Sequence, residues 1–375
     1  PTVSGLPALS VNVDAAEAGG GAVTSFYSPA RSLAVEDKTF ILSWVVDLAN
    51  DLVRIYLNGR LVGSHLGVQG SAFVAGATYF LYGTGFSPGN KWGSFVGDIS
   101  LYGEALSDAG REAVEDFYQE KFGGAEYVDI HRLPSGSRTV WFDASLHPCQ
   151  SNGATLATYQ HGDAIQGLRN VESLGGAYLS QATAGRRPVF VAGTGVALLG
   201  STGGSEDYLE NISFTAPPAS GDRSFAFVFS PIAGMQAAVV DSPLIRWSSA
   251  TDELGGVTVT AKVGGRLELA IYQRYQGERR RHVATLQPLF ADGSAYVISA
   301  VWENAAERWT VYVNGQLVDL IESKDTTTIS DASPVFRVGS NANKITFSFY
   351  TFLHYSRRLG PGECSDIYEY YAPRL

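Results

Sequence analysis

Two stretches of this chain, 256 residues apart, are written on one template. Phe40 to Gly63 reads FILSWVVDLANDLVRIYLNGRLVG, and Tyr296 to Asp319 reads YVISAVWENAAERWTVYVNGQLVD, aligned without a gap. Ser43 falls on Ser299, Tyr56 on Tyr312, and Asn58-Gly59 on Asn314-Gly315. The same offset carries Phe80 and Gly83 to Phe336 and Gly339, and after a slip of three residues Tyr102 and Leu106 meet Tyr355 and Leu359. A chain that repeats a unit solves one packing problem twice, so the unit decides the fold.

The unit reads as antiparallel β-structure. Val53 to Leu57 runs into Asn58-Gly59 and out through Arg60 to Val62. Alternating residues around Asn-Gly predict a two-residue type I′ hairpin, because both turn positions need φ > 0. Trp309 to Leu317 repeats it around Asn314-Gly315. A further strand pair is expected to end near Ile99 to Tyr102, and again near Phe352 to Tyr355. Ser107 then caps a predicted helix with Ala109, Ala113, Val114 and Phe117 on one face and Gly123 as its stop. The second copy has only a shorter, tyrosine-rich equivalent, Asp366 to Tyr371. With 42 Gly, 19 Tyr, 19 Phe and only 17% charged residues, the composition suits a turn-rich, aromatic all-β protein.

The copies differ upstream of the hairpin. The second has about 170 residues there, counted from Trp141, whereas the first has only about 50. The expected domains are therefore 1–123, the later part of a first sandwich with its terminal helix; 124–135, a linker; and 136–375, a complete second sandwich. A half-sandwich would leave Phe40, Leu42, Ile55 and Leu57 facing water, which invites aggregation. An upstream segment of the same gene product, or a partner chain, is expected to cover them. The chain opens on Pro1, and Met235 is its only methionine, which points to a processed or truncated product.

Charge and cysteine content exclude several classes. A net charge of −10 argues against a general nucleic-acid-binding face. The one basic cluster, Arg274 with Arg279-Arg280-Arg281, reads as a strand edge or hairpin tip. No apolar run reaches the roughly 18–20 residues of a membrane-spanning helix, so no membrane insertion is expected. Cys149 and Cys364 are too few for a disulfide scaffold or a zinc site, and leave open either one disulfide or two buried thiols.

The sequence holds no recognisable catalytic set. The six histidines form no H-E-x-x-H pair, no G-x-S-x-G occurs, and Gly19 to Gly21 and Gly203-Gly204 lack a phosphate loop's Lys-Ser/Thr. Glycoside hydrolysis needs two carboxylates on one groove. In Glu206-Asp207-Tyr208-Leu209-Glu210, the first two point to opposite faces and Glu210 stands three residues beyond Asp207. The chain is therefore read as a non-enzyme. Trp141, Trp302 and Trp309 lie in strand patterns and read as core. Trp92 in a Ser-Pro-Gly-Asn-Lys loop, Trp247 between Arg246 and Ser248, and the cluster Tyr272, Arg274 and Tyr275 are candidates to stack on a sugar ring or to anchor a neighbouring subunit. Asp143 and Asp207 could ligate calcium, or act as turn and capping aspartates.

The second copy resembles the concanavalin A-like, laminin-G-type sandwich modules of bacterial surface proteins and phage particles. The resemblance rests on Val140-Trp141-Phe142-Asp143-Ala144-Ser145, on Gln181-Ala182-Thr183 leading to Arg187-Pro188, and on Asp207-Tyr208-Leu209. Ser224 to Phe229 and the Tyr-Val-Asn-Gly hairpin complete it, and Leu-Ser-Asp before a helix occurs in the first copy alone. The tryptophan-aspartate stretch usual in that family is replaced here by Ile165-Gln166-Gly167-Leu168. The resemblance implies two jelly-roll units, the first incomplete at its N-terminal side. It implies a glycan-binding, sometimes calcium-dependent, component of a virion or extracellular surface such as a spike, fibre or decoration protein. A structural spacer that contacts only other subunits is the first alternative, and a glycan-processing enzyme the second.

Overall fold

The computed structural model describes residues 2–3, 6–7, 10–15, 22–27, 41–47, 49–50, 52–66, 100–122, 132–146, 148–149, 159, 161–172, 177–191, 196–199, 207–211, 220–235, 241–248, 256–275, 278–287, 290–325, 335–339, 345–372 and 375, the first four segments by backbone alone. The chain forms two compact units, Pro1–Ile130 and His131–Leu375.

In the first unit β1 (Thr2–Val3) pairs with β2 (Leu6–Pro7), and β3 (Ser10–Ala15) with β4 (Ala22–Tyr27), both antiparallel. A three-stranded meander follows: β5 (Leu42–Asp47), β6 (Leu52–Leu57) and β7 (Arg60–Leu66). Asn58 and Gly59 turn the chain between β6 and β7 with φ of 49° and 74°, the double left-handed geometry that the sequence calls for. The small core is Val53, Ile55 and Val62, flanked by Leu42, Val46 and Leu57. Phe40 and residues 67–99 lie outside the described residues.

Helix α1 (Asp108–Phe122) starts at Ser107, whose Oγ accepts the Gly110 N–H at 3.2 Å. Its buried face differs from the expected one. Arg111 and Glu115 are buried, while Ala109 and Ala113 are exposed and Phe117 is 56% exposed. The reason lies in Tyr56. The Arg111 guanidinium lies 3.9 Å from the centre of that ring, Glu115 bonds it from one turn on at 2.5 Å, and Asp108 meets the Tyr56 hydroxyl at 3.3 Å. Ser100 to Tyr102, expected in a strand, are not in one, and Leu101 is 76% exposed.

The second unit is a sandwich of two antiparallel sheets. Its strands are β8 (Arg138–Asp143), β9 (Pro148–Cys149), β10 (Gly167–Arg169), β11 (Tyr178–Ser180), β12 (Val189–Val191), β13 (Val196–Leu199) and β14 (Tyr208–Asn211). They continue with β15 (Arg223–Ala233), β16 (Ser242–Ser248), β17 (Gly256–Lys262), β18 (Arg266–Tyr275), β19 (Glu278–Leu286) and β20 (Tyr296–Glu303). The last are β21 (Arg308–Val313), β22 (Gln316–Leu317), β23 (Leu320–Asp325), β24 (Val335–Gly339) and β25 (Thr346–Tyr355). Among the described residues the larger sheet has ten strands in the order β23-β19-β18-β17-β16-β24-β14-β11-β10-β9. The smaller runs β12-β13-β25-β15-β20-β21-β22, with β8 also pairing β25.

Alternation fills the space between the sheets. Phe225, Phe227 and Phe229 of β15, Ile298, Ala300 and Trp302 of β20, and Phe352 of β25 meet Val257 and Val259 of β17, Leu269 and Ile271 of β18, and Phe336 and Val338 of β24 in one core. The outer face of the smaller sheet is buried as well, since all ten residues of β25 are buried. Helix α2 (Pro361–Tyr371) covers it with Cys364, Ile367, Tyr370 and Tyr371. This helix begins five residues before the expected Asp366, at a proline that suits the first helical turn.

Cys149 and Cys364 are both free and buried, and burial pushes each thiol up to about 12. One belongs to the edge of the larger sheet and the other to the helix outside the smaller one, so no disulfide joins them.

The hairpin of the first unit recurs in detail. Asn314 and Gly315 have φ of 51° and 75°. Asn314 Oδ1 accepts the Val297 N–H at 2.8 Å, as Asn58 Oδ1 accepts that of Ile41 at 2.8 Å. Each asparagine N–H returns a bond to the same residue's carbonyl at 2.8 Å. The duplication therefore extends from sequence to individual hydrogen bonds.

Candidate recognition surface

The inward set of β17, β18 and β19 leaves Gly256, Thr258, Thr260, Lys262, Glu268, Ala270, Tyr272, Arg281, Val283 and Thr285 on the outer face of the larger sheet. Arg246 stands beside Thr258 on the same face, and Arg337 and Glu210 follow across β24 and β14. The face is polar and carries both signs of charge.

Its charges are tied in place. Glu210 accepts two bonds from Arg337, at 2.9 and 2.5 Å, and the same guanidinium lies 4.7 Å from the centre of the Tyr208 ring. Arg281 bonds Glu268, which also receives Lys262 at 3.3 Å, and Lys262 bonds Asp241. Tyr272 lies in register between Gly256 on one side and Arg281 on the other. A glycine neighbour has no side chain to cover the ring, and Tyr272 is only partly buried. Arg281 stands directly across from Tyr272 and Thr258 diagonally, and the Glu268 carboxylate is tied to the same Arg281 guanidinium.

The expected site residues fall in different places. Tyr272 is on this face. Arg274 shares its side of β18 by register and Tyr275 takes the other side, although their side chains lie outside the described residues. Trp92 also lies outside the described residues. Trp247 is corrected: it is 2% exposed and packs edge-on to Phe336, Phe352 and His354 in the core, at 5.4, 6.1 and 5.0 Å. Arg246 and Ser248 flank it because a strand alternates, so polar neighbours in sequence mark the opposite face and not an exposed ring.

The two aspartates do not meet. Asp143 is 1% exposed. Its Oδ1 accepts from the Ser145 N–H at 2.9 Å and from the Ser145 hydroxyl at 2.5 Å, and its Oδ2 receives the Tyr371 hydroxyl at 3.2 Å. The carboxylate is an internal turn and helix anchor, with its lone pairs already engaged by protein donors. Asp207 stands at the start of β14, where Gly339 passes so close that a Cβ there would lie 2.5 Å from the Asp207 carbonyl oxygen. Burial raises the Asp207 carboxyl to about 6. Among the described residues no group of three histidine, cysteine, aspartate or glutamate side chains is arranged to hold a metal.

The Gln181 motif is structural. Its side chain accepts the Thr183 N–H at 2.9 Å, and Arg187 holds the Gln181 and Ala182 carbonyls at 2.9 and 3.1 Å. The residues that sequence reasoning missed are Arg246, Glu268 and Arg337. Strand order brings Arg246 and Arg337 into one row with Glu210, whereas Glu268 lies on β18 itself, four residues before Tyr272.

No family model matches the chain, and no curated protein matches it. Among solved structures, the receptor-binding domain of botulinum neurotoxin D is 13% identical with a TM-score of 0.37, over 62% of this chain and 52% of that one. The serotype G binding domain is 14% identical with a TM-score of 0.37, over 55% and 51%. The serotype D ligand-binding domain in complex with N-acetylneuraminic acid is 14% identical with a TM-score of 0.35, over 55% and 50%. The matched part spans about half of each of those chains. Scores this low are reached by β-sandwiches of differing topology.

Proposed function

We propose that the second unit is a non-catalytic, concanavalin A-like recognition module that binds a glycan on the outer face of its larger sheet. The observation that carries this reading is the Tyr272 ring. It is partly exposed, flanked by Gly256, and set among hydroxyl, carboxylate and guanidinium groups on a rigid sheet. A flat apolar ring bordered by fixed donors and acceptors suits a sugar, whose C–H face stacks while its hydroxyls hydrogen-bond. The acidic stretch of β14 supports a binding role over a hydrolytic one: Glu210 is neutralised by Arg337, and the shift of Asp207 has burial as its cause, with no second carboxylate contributing. The setting we propose is the surface of a virion or cell, with the glycan or neighbouring subunits as partners.

The test is glycan-array binding by the full chain and by Tyr272→Ala. Loss of a stacked aromatic costs about 2 kcal/mol at a binding hot spot, or roughly thirtyfold in affinity. Unchanged binding by the variant would move the site elsewhere. Binding of no glycan by the full chain would leave the spacer role.

A further inference from the structure

At one end of the second unit, the last inward row of the smaller sheet is Arg223, Trp302 and Trp309, one residue from each of β15, β20 and β21. Arg223 follows the parity of Phe225 and Phe227, and both tryptophans belong to the core. The three are 2%, 0% and 4% exposed. The two indoles lie 5.5 Å apart at 66°.

All three side chains present donors with nothing to receive them. Arg223 Nε reaches the Gly221 carbonyl at 3.4 Å, but among the described residues neither terminal guanidinium nitrogen has a partner, and neither do Trp302 Nε1 and Trp309 Nε1. The groups facing them from other strands are His354 of β25, whose Nε2 also lacks a partner, and His282 of β19, whose ring centre is 4.7 Å from that of Trp302. Neither imidazole brings negative charge. Asp222, next in sequence, acts on the Arg223 charge but is exposed and accepts the Asn304 N–H at 2.9 Å, and Glu307, which acts on His282, is bound by Lys324 and lies beside Arg280.

Such a cluster is expensive to leave as it stands. A guanidinium keeps its charge at neutral pH, and a buried charge that no carboxylate bonds directly is costly. Indole N–H groups add their own unmet bonds. A ligand here must carry negative charge and accept from several N–H groups at once. It must also be small, because the surrounding side chains are closed to solvent. A water molecule could accept the bonds but would leave the charge uncompensated.

We propose that Arg223, Trp302 and Trp309 hold a chloride ion that closes this end of the sandwich. The experiment measures urea unfolding of the full chain over a sodium chloride series at fixed ionic strength, balanced with sodium gluconate. One site predicts a tenfold rise in the folding constant for each tenfold rise in chloride above its dissociation constant. Arg223→Met should lose that dependence. Trp309→Phe, which keeps a ring but removes the N–H, should shift it to higher chloride. Crystals of the unaltered chain in sodium bromide should show an anomalous peak within hydrogen-bonding reach of the Arg223 guanidinium, a result that does not depend on either variant folding. Stability indifferent to chloride, an equal dependence in Arg223→Met, or a bromide map empty at Arg223 would each overturn the assignment.

Discussion

A histidine that cannot take up a proton in place makes folding depend on pH. His354 is 1% exposed, lies against the Phe225 and Trp247 rings, and shares a 2.6 Å hydrogen bond with the Thr139 hydroxyl through Nδ1. Burial, assisted by the Arg223 charge, lowers it to about 3. In the unfolded chain its pKa returns to about 6.5, so between these values the unfolded state binds more protons than the folded one. The stabilisation is complete above pH 6.5 and is lost as the pH falls toward 3, at up to about 1.4 kcal/mol per unit. Between pH 6.5 and 5 this residue alone should cost about 2 kcal/mol. Urea unfolding at both pH values, for the native chain and for His354→Gln, isolates that share from carboxylates common to both. An equal acid loss in the variant would show that His354 is not the group responsible.

At the scale of one element, the duplicated hairpin offers a test with an internal control. Asn314 holds φ at 51° and also accepts the Val297 N–H. Asn314→Ala loses both contributions, the left-handed tolerance at about 1 kcal/mol and the hydrogen bond at about another. Asn314→Gly keeps the backbone freedom and loses only the bond. Urea midpoints should therefore rank native, glycine, alanine, and a glycine variant no better than the alanine one would refute the partition. These turns were legible in the sequence because Asn-Gly between alternating runs has few other uses. The buried face of α1 was not legible. Its apolar residues suggested Ala113 and Phe117, but the helix buries Arg111 and Glu115, because a long cationic side chain can cover a tyrosine ring when a carboxylate one turn away neutralises it. Trp247 misled for a related reason, since strand alternation places polar neighbours on both sides of a buried ring. Arg223 was legible only by parity: alternation with Phe225 and Phe227 points it inward, but an arginine at a strand's start ordinarily faces solvent.

The whole molecule is divided unevenly between its two units. The main core of the second unit is built from residues between Val140 and Phe352. The second unit also supplies its own cover for the smaller sheet, because α2 is anchored by Tyr371, whose hydroxyl receives Trp141 Nε1 at 3.1 Å and reaches Asp143 and Thr351. A buried polar group that reaches partners on β8 and β25 ties the C-terminal helix to both strands, so the unit closes on itself. The fragment 131–375 is therefore expected to fold alone. Tryptophan emission gives a selective readout. Trp141, Trp247, Trp302 and Trp309 are all 4% exposed or less, whereas Trp44 of the first unit is 43% exposed. Folded-state emission should be blue-shifted in the fragment as in the full chain and should shift red in a single urea transition. The two midpoints should agree to within the change expected from about 0.5 kcal/mol, the tolerance for independent structural units. A fragment that is soluble but unfolds at markedly lower urea, or in two steps, would mean that residues 1–130 stabilise the sandwich, and its core would then not be self-sufficient.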